Sequence, residues 1–190
     1  MSLFSSIRTI GSALGIRGSD VLEVGCSLGR TIYFETKRAA QIANVLAKRR
    51  ELLPETKTRL SLIFPELDVG RIRYRTHCRL PANRFNQGGS VYAMTFGYTI
   101  YWRGAFDETN DADFVNFIHE VFHVDQVRRF GGERGFACEY GKGYLAGNGV
   151  LPSYIRNPTR YHRNPLEADA YSFEAKFQDE RGRVAPELLP

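Results

Sequence analysis

The sequence predicts an α+β protein in which a small antiparallel sheet with a hairpin packs on one long, strongly apolar helix and a C-terminal helix. Three observations carry this. Period-two runs flank Gly97, a capped apolar helix runs from Asn110 or Asp111 to Gly131, and a second capped helix opens at Asn164-Pro165. The chain has 190 residues, 43% hydrophobic and 25% charged, enough to bury a core without staples.

In chain order, residues up to about 29 carry Gly11, Gly15, Gly18, Gly25 and Gly29 among serines, with one short apolar run, "VLEV", suited to a strand. They read as a loose extension. "GCSLGRT" is one residue too short between its glycines for a phosphate loop and has Arg30 where lysine belongs. "TIYFETKRAAQIANVLAKRRELL" reads as an amphipathic helix that buries Ile32, Glu35, Ala39, Ile42 and Leu46 and exposes Lys37, Arg38, Gln41, Lys48 and Arg49. Residues 1–52 are thus expected to form an N-terminal helical extension and residues 53–190 the main domain.

A short helix is expected over "ETKTRLSLIF", closed by Pro65. "RIRYRTHC" alternates as a strand, and "SVYAMTF" and "YTIYW" form the hairpin about Gly97. From Gly131 to about residue 163 the glycine- and tyrosine-rich chain shows no period, and a stretch this long is functional or partly helical. The last helix carries Leu166, Ala170, Phe173 and Phe177 on one face.

Charge and cysteines narrow the function classes. The net charge is +5. Residues 1–50 hold 8 Lys and Arg against 3 Asp and Glu, and the other 140 hold 18 of each. The region with the apolar helix is therefore neutral, which argues against a groove for nucleic acid; the basic helix before it could take an acidic partner or secretion machinery. Cys26, Cys78 and Cys138 have no C-x-x-C spacing and read as free, buried thiols. No apolar run has the length of a membrane span, and no standard export signal is seen. The expected location is the cytoplasm at synthesis, with secretion by a route that needs no cleaved signal peptide.

The chemistry lies in "FVNFIHEVFHVDQ". His119 and His123, at i and i+4, share one helix face and can point two imidazoles at one ion, while Glu120 is rotated ~100° and can reach a water there without ligating. Zinc with an adjacent carboxylate is an arrangement for hydrolysis. The alternative is a core helix whose histidines are merely satisfied. Against it, half of the four histidines fall on this one apolar helix, where unpartnered imidazoles and a carboxylate would be costly. Of the third-ligand candidates, Glu167 lies beside the apolar face of the last helix but also suits a capping box with Asn164. Glu174, two turns on, and the loop residue His162 are the others; His77 fits ordinary strand packing.

"HEVFHVDQ" resembles the H-E-[LM]-x-H-V-x-Q signature of a zincin-like bacterial metallopeptidase domain family of the gluzincin type, often found in secreted toxin or effector cargo. "TFGYTIYW" is similar to that family's preceding hairpin and "NPLEADA" to its later N-P-x-E-x-x-A helix; the likeness spans roughly residues 70–178. It implies a zincin-like fold, one Zn2+ on His119, His123 and Glu167, Glu120 as catalytic base, and a protein or peptide substrate paired along Ala93, Met94, Thr95 and Phe96. Phe122 and Asp125 depart from the pattern, and residues before 70 match nothing in it. An oxyanion donor is sought among tyrosines, with Tyr171 and Tyr161 foremost and Tyr140, Tyr144 and Tyr154 behind them. The expected function is zinc-dependent peptide-bond hydrolysis. The alternative is a non-catalytic, metal-stabilised binding or toxin-associated module of the same fold.

Overall fold

A computed structural model describes residues 18–81, 92–148 and 164–190. Among them the chain is a mixed α+β structure of five α-helices and a four-stranded sheet. In order these are α1 (Gly18–Ala43), β1 (Arg50–Glu51), α2 (Pro54–Ile63), β2 (Arg73–Arg75), β3 (Ala93–Phe96), β4 (Thr99–Trp102), α3 (Asp111–Arg129), α4 (Glu133–Asn148) and α5 (Pro165–Glu174). None of the described helices is long and apolar enough to cross a membrane.

The sheet order is β1-β2-β4-β3. β3 and β4 form the expected hairpin, with Gly97 at φ +60° taking the left-handed position that so tight a turn needs. The sheet is not purely antiparallel, however: β2 runs parallel to β4, with Tyr74 opposite Ile100. The strand expected over "RIRYRTHC" is regular only at Arg73–Arg75; His77, exposed with φ 55°, breaks the ladder, although the His77 and Cys78 N–H groups still donate to Gly104 O and Trp102 O.

Strand alternation gives the sheet two faces. Tyr74, Ala93, Thr95, Ile100 and Trp102 share the register of one face, and all but Thr95 belong to one buried cluster with Phe114, Phe117, Ile118 and Val121 of α3. Phe96 and Tyr101 share the other face and cluster with Tyr33 and Ala40 of α1 and Phe136 and Ala137 of α4. α3 thus packs on the first face and α1 and α4 on the second, and the apolar residues of α3 are buried almost all round, as expected. Asn110 caps it by accepting from the Asp113 N–H, and Gly131 and Gly132, both at positive φ, let the chain turn into α4.

The N-terminal half departs most from expectation. The "VLEV" run is helical, and α1 starts at Gly18, inside the segment expected to be loose. It also stops at Ala43, well before the expected end. There the buried Asn44 donates from Nδ2 to Ala40 O (2.8 Å) and Arg79 O (3.0 Å) and accepts from Arg79 N (2.7 Å), so a distant strand connection ends the helix. The buried stripe is Val21, Gly25, Gly29, Tyr33 and Ala40; Ile32, Glu35, Ala39, Ile42 and Leu46 are exposed.

Glycine explains the reversal. A Cβ on Gly141 of α4 would lie 2.1 Å from Gly25 O, and one on Gly29 would lie 2.2 Å from Ala137 O, so α1 and α4 touch backbone to backbone. The residues read as loop-formers are spacers for a close helix crossing. The same crossing brings Cys26 and Cys138 together in a disulfide, leaving Cys78 as a buried thiol; the expectation of three free thiols holds only for Cys78. The aperiodic stretch after Gly131 is helical as far as Asn148 for the same reason. β1 extends the sheet beyond β2, so residues before 53 pack into the same structure as those after it.

Candidate metal centre

α3 and α5 build the site together. Asn164 accepts from the Leu166 N–H and Pro165 occupies the first turn, so α5 starts where the sequence places it. Glu167 then faces inward, 1% exposed, instead of folding back to complete a capping box. Its Oε1 accepts from the Tyr140 hydroxyl of α4, and its Oε2 is buried with no hydrogen-bond donor. That oxygen lies 3.7 Å from His119 Nε2 and 3.5 Å from His123 Nε2, and the two Nε2 atoms are 3.2 Å apart.

The outer nitrogens decide what these atoms are. His119 Nδ1 stands 3.0 Å from Glu174 Oε2, which can only accept, so Nδ1 carries a proton. His123 Nδ1 stands 2.8 Å from Gln126 Oε1; the Gln126 amide donates from Nε2 to Leu166 O (3.0 Å), so its oxygen faces the imidazole and His123 is protonated at Nδ1 too. Each neutral ring then aims an Nε2 lone pair inward. Two nitrogen lone pairs and a carboxylate oxygen converge with no hydrogen between them, which calls for a cation.

The dimensions fit one. Donors ~2.1 Å from a single tetrahedral ion stand roughly 3.4 Å apart, and the three edges here are 3.2, 3.5 and 3.7 Å. His119, His123 and Glu167 are the His/Cys/Asp/Glu group among the described residues arranged to hold a metal ion. Without one, a proton must serve. Burial would depress the His119 pKa, but Glu167 and Glu174, with Glu120, push it up to about 10, and His123 is raised against its burial chiefly by Glu167. Burial would likewise raise Glu167, yet His123 and His119 hold it well below the usual carboxylate range.

Around this trio, Glu120 points toward the sheet and its Oε2 accepts from the Thr95 hydroxyl at 2.6 Å. Thr95 belongs to β3, so among the described residues Ala93, Met94, Thr95 and Phe96 form the outermost strand of the sheet, beside Glu120. The Tyr171 ring lies 4.5 Å from the His119 ring, and burial together with Glu167 raises its hydroxyl above the ordinary tyrosine value. Asp125 is paired with Arg128 and Arg129 of its own helix. Phe122 packs on Phe173, their ring centroids 4.8 Å apart.

Glu174, weighed as a ligand, instead holds His119 from outside. His162, Tyr154 and Tyr161 lie outside the described residues. The sequence assigned no role to Gln126 and did not foresee Tyr140 as the partner of Glu167; Gln126 was marked by its place as the last residue of the "HEVFHVDQ" signature, three residues after His123 and one helical turn away. Comparison of the chain with protein-family models, curated proteins and solved structures finds no match.

Proposed function

We propose that this protein is a zincin-like, zinc-dependent peptidase. The observation that carries the reading is the inward convergence of His119 Nε2, His123 Nε2 and Glu167 Oε2, with a further carboxylate, Glu120, next to His119 in the chain and not among the three. These three atoms would hold the ion; zinc in such a site supplies Lewis-acid activation of water and of a substrate carbonyl.

The chain's own residues account for the rest of the mechanism. Glu174 and Gln126 hold the two imidazoles in the tautomer that keeps Nε2 unprotonated. Tyr140 engages one oxygen of Glu167 and leaves the other inward. Thr95 fixes one oxygen of Glu120, so the carboxylate has a set orientation in which to take a proton from the attacking water and return it to the leaving amine. Because Thr95 is on the outermost strand, a peptide added along β3 would pass beside Glu120, as β-augmentation requires. Tyr171, against His119, is the candidate donor to the developing oxyanion.

The test is cleavage of a peptide library by the zinc-loaded chain and by Glu120→Gln. The proposal expects kcat/KM to fall by ~10²–10⁴-fold in the variant with zinc content unchanged. Equal cleavage by both proteins would remove Glu120 as base. Unit zinc with no cleavage by either would favour the metal-stabilised binding module.

A further inference from the structure

Beside the Gly97–Tyr98 hairpin turn lies a cavity of about 420 Å³, within the range that holds small organic ligands. α1 contributes Lys37 and Gln41, the segment before β1 contributes Arg49, the turn before β2 contributes Arg71, and Tyr98 and Glu133 line it further. Three cations from three parts of the chain therefore meet one carboxylate.

Glu133 is fully engaged. Its Oε1 accepts from Lys37 Nζ (2.6 Å) and the Tyr33 hydroxyl (2.9 Å), and its Oε2 from Lys37 Nζ (2.7 Å). Lys37 and Glu133 thus neutralise each other and are held in place. Arg71 lies over the Tyr98 ring, 4.1 Å from its centroid, so its guanidinium is oriented while its N–H fork remains available. Arg49 and Tyr101 line the same cavity. Neither Arg49 nor Arg71 has a carboxylate partner among the described residues. The excess of +2 matches the charge of about −2 on a phosphate monoester at neutral pH, and arginine forks suit phosphate oxygens. Phe96 and Val127 add an apolar wall, and the volume far exceeds that of one phosphate group.

We propose that this cavity is a second site, which binds the phosphate group of a small organic phosphate through Arg49 and Arg71 with its apolar body against Phe96 and Val127. It gathers part of the basic face of α1, which the metal chemistry leaves unused, and shares no lining residue with the His119, His123 and Glu167 trio.

Calorimetric titration of the zinc-loaded full chain with phenyl phosphate tests this beside the Arg49→Gln/Arg71→Gln double variant, with inorganic phosphate and benzoate as further probes. Saturable binding of phenyl phosphate is expected, at least about tenfold weaker in the double variant, while zinc content and circular dichroism stay those of the parent. Benzoate, with one charge, and inorganic phosphate, with no apolar body, are expected to bind more weakly. Equal phenyl phosphate binding by parent and variant would place it elsewhere, the metal included, and overturn the proposal. So would a Kd weaker than about 10 mM, or inorganic phosphate or benzoate binding as tightly. Zinc content reports on the metal centre separately, so failure here leaves the peptidase reading standing, and the reverse.

Discussion

His119 and His123 face each other Nε2 to Nε2 across 3.2 Å, each with its outer nitrogen committed to an acceptor, Glu174 in one case and Gln126 in the other. In the metal-free protein a proton must relieve this contact, and a metal ion must displace it. With His119 raised from 6.5 to about 10, zinc affinity should rise by roughly tenfold per pH unit across neutrality. Competition titration against a chelator at several pH values checks this; affinity independent of pH would contradict it.

The same shift has a consequence for stability. A group whose folded pKa lies above its unfolded value stabilises the fold below the unfolded value, and that contribution is lost as pH rises through the folded one. The metal-free protein should therefore lose stability as pH rises from 6.5 toward about 10, whereas the zinc-bound protein, lacking that proton, should not share the loss. Thermal unfolding with and without chelator across that window reads the difference.

Tyr140→Phe removes the donor to Glu167 Oε1 and leaves the carboxylate rotationally freer in a buried site. Loss of such an outer partner costs ~10–100-fold in metal affinity. Chelator competition should show that loss, with the far-ultraviolet circular dichroism unchanged.

Gly141→Ala should be destabilising by about 1–3 kcal/mol, because its methyl group would meet the backbone of Gly25 and Gly29 rather than a movable side chain. Denaturant unfolding measures it. A neutral effect would mean that the α1–α4 crossing is looser than described.

Thiol titration of the unfolded chain without reductant should find one reactive cysteine, Cys78, and with reductant three. Serine at both Cys26 and Cys138 should lower stability by roughly 2–4 kcal/mol, since the bond closes a loop over 112 positions of sequence.

What could be read from sequence was what is encoded locally. The cap at Asn110, the apolar circumference of α3, the hairpin turn at Gly97 and the Asn164-Pro165 start of α5 each sit within a few residues of the feature they specify. So do the i, i+4 spacing of His119 and His123 and the inward lean of Glu167. What was misread depends on distant partners. Gly25 and Gly29 resemble loop-formers until they are set against Gly141, and Asn44 ends α1 only because Arg79 is there to bond it. The parallel pairing of β2 with β4, the Cys26–Cys138 bond, and the roles of Tyr140 and Glu174 are likewise set by tertiary contacts that no local pattern announces.

The most direct test is elemental analysis of the purified chain beside Glu167→Gln and His162→Ala. The account predicts about one zinc per chain in the parent and in His162→Ala, and its loss in a folded Glu167→Gln protein. Full zinc in the Glu167 variant, or loss only in the His162 variant, would contradict the ligand set; no metal in the parent under zinc-replete conditions would contradict the centre itself.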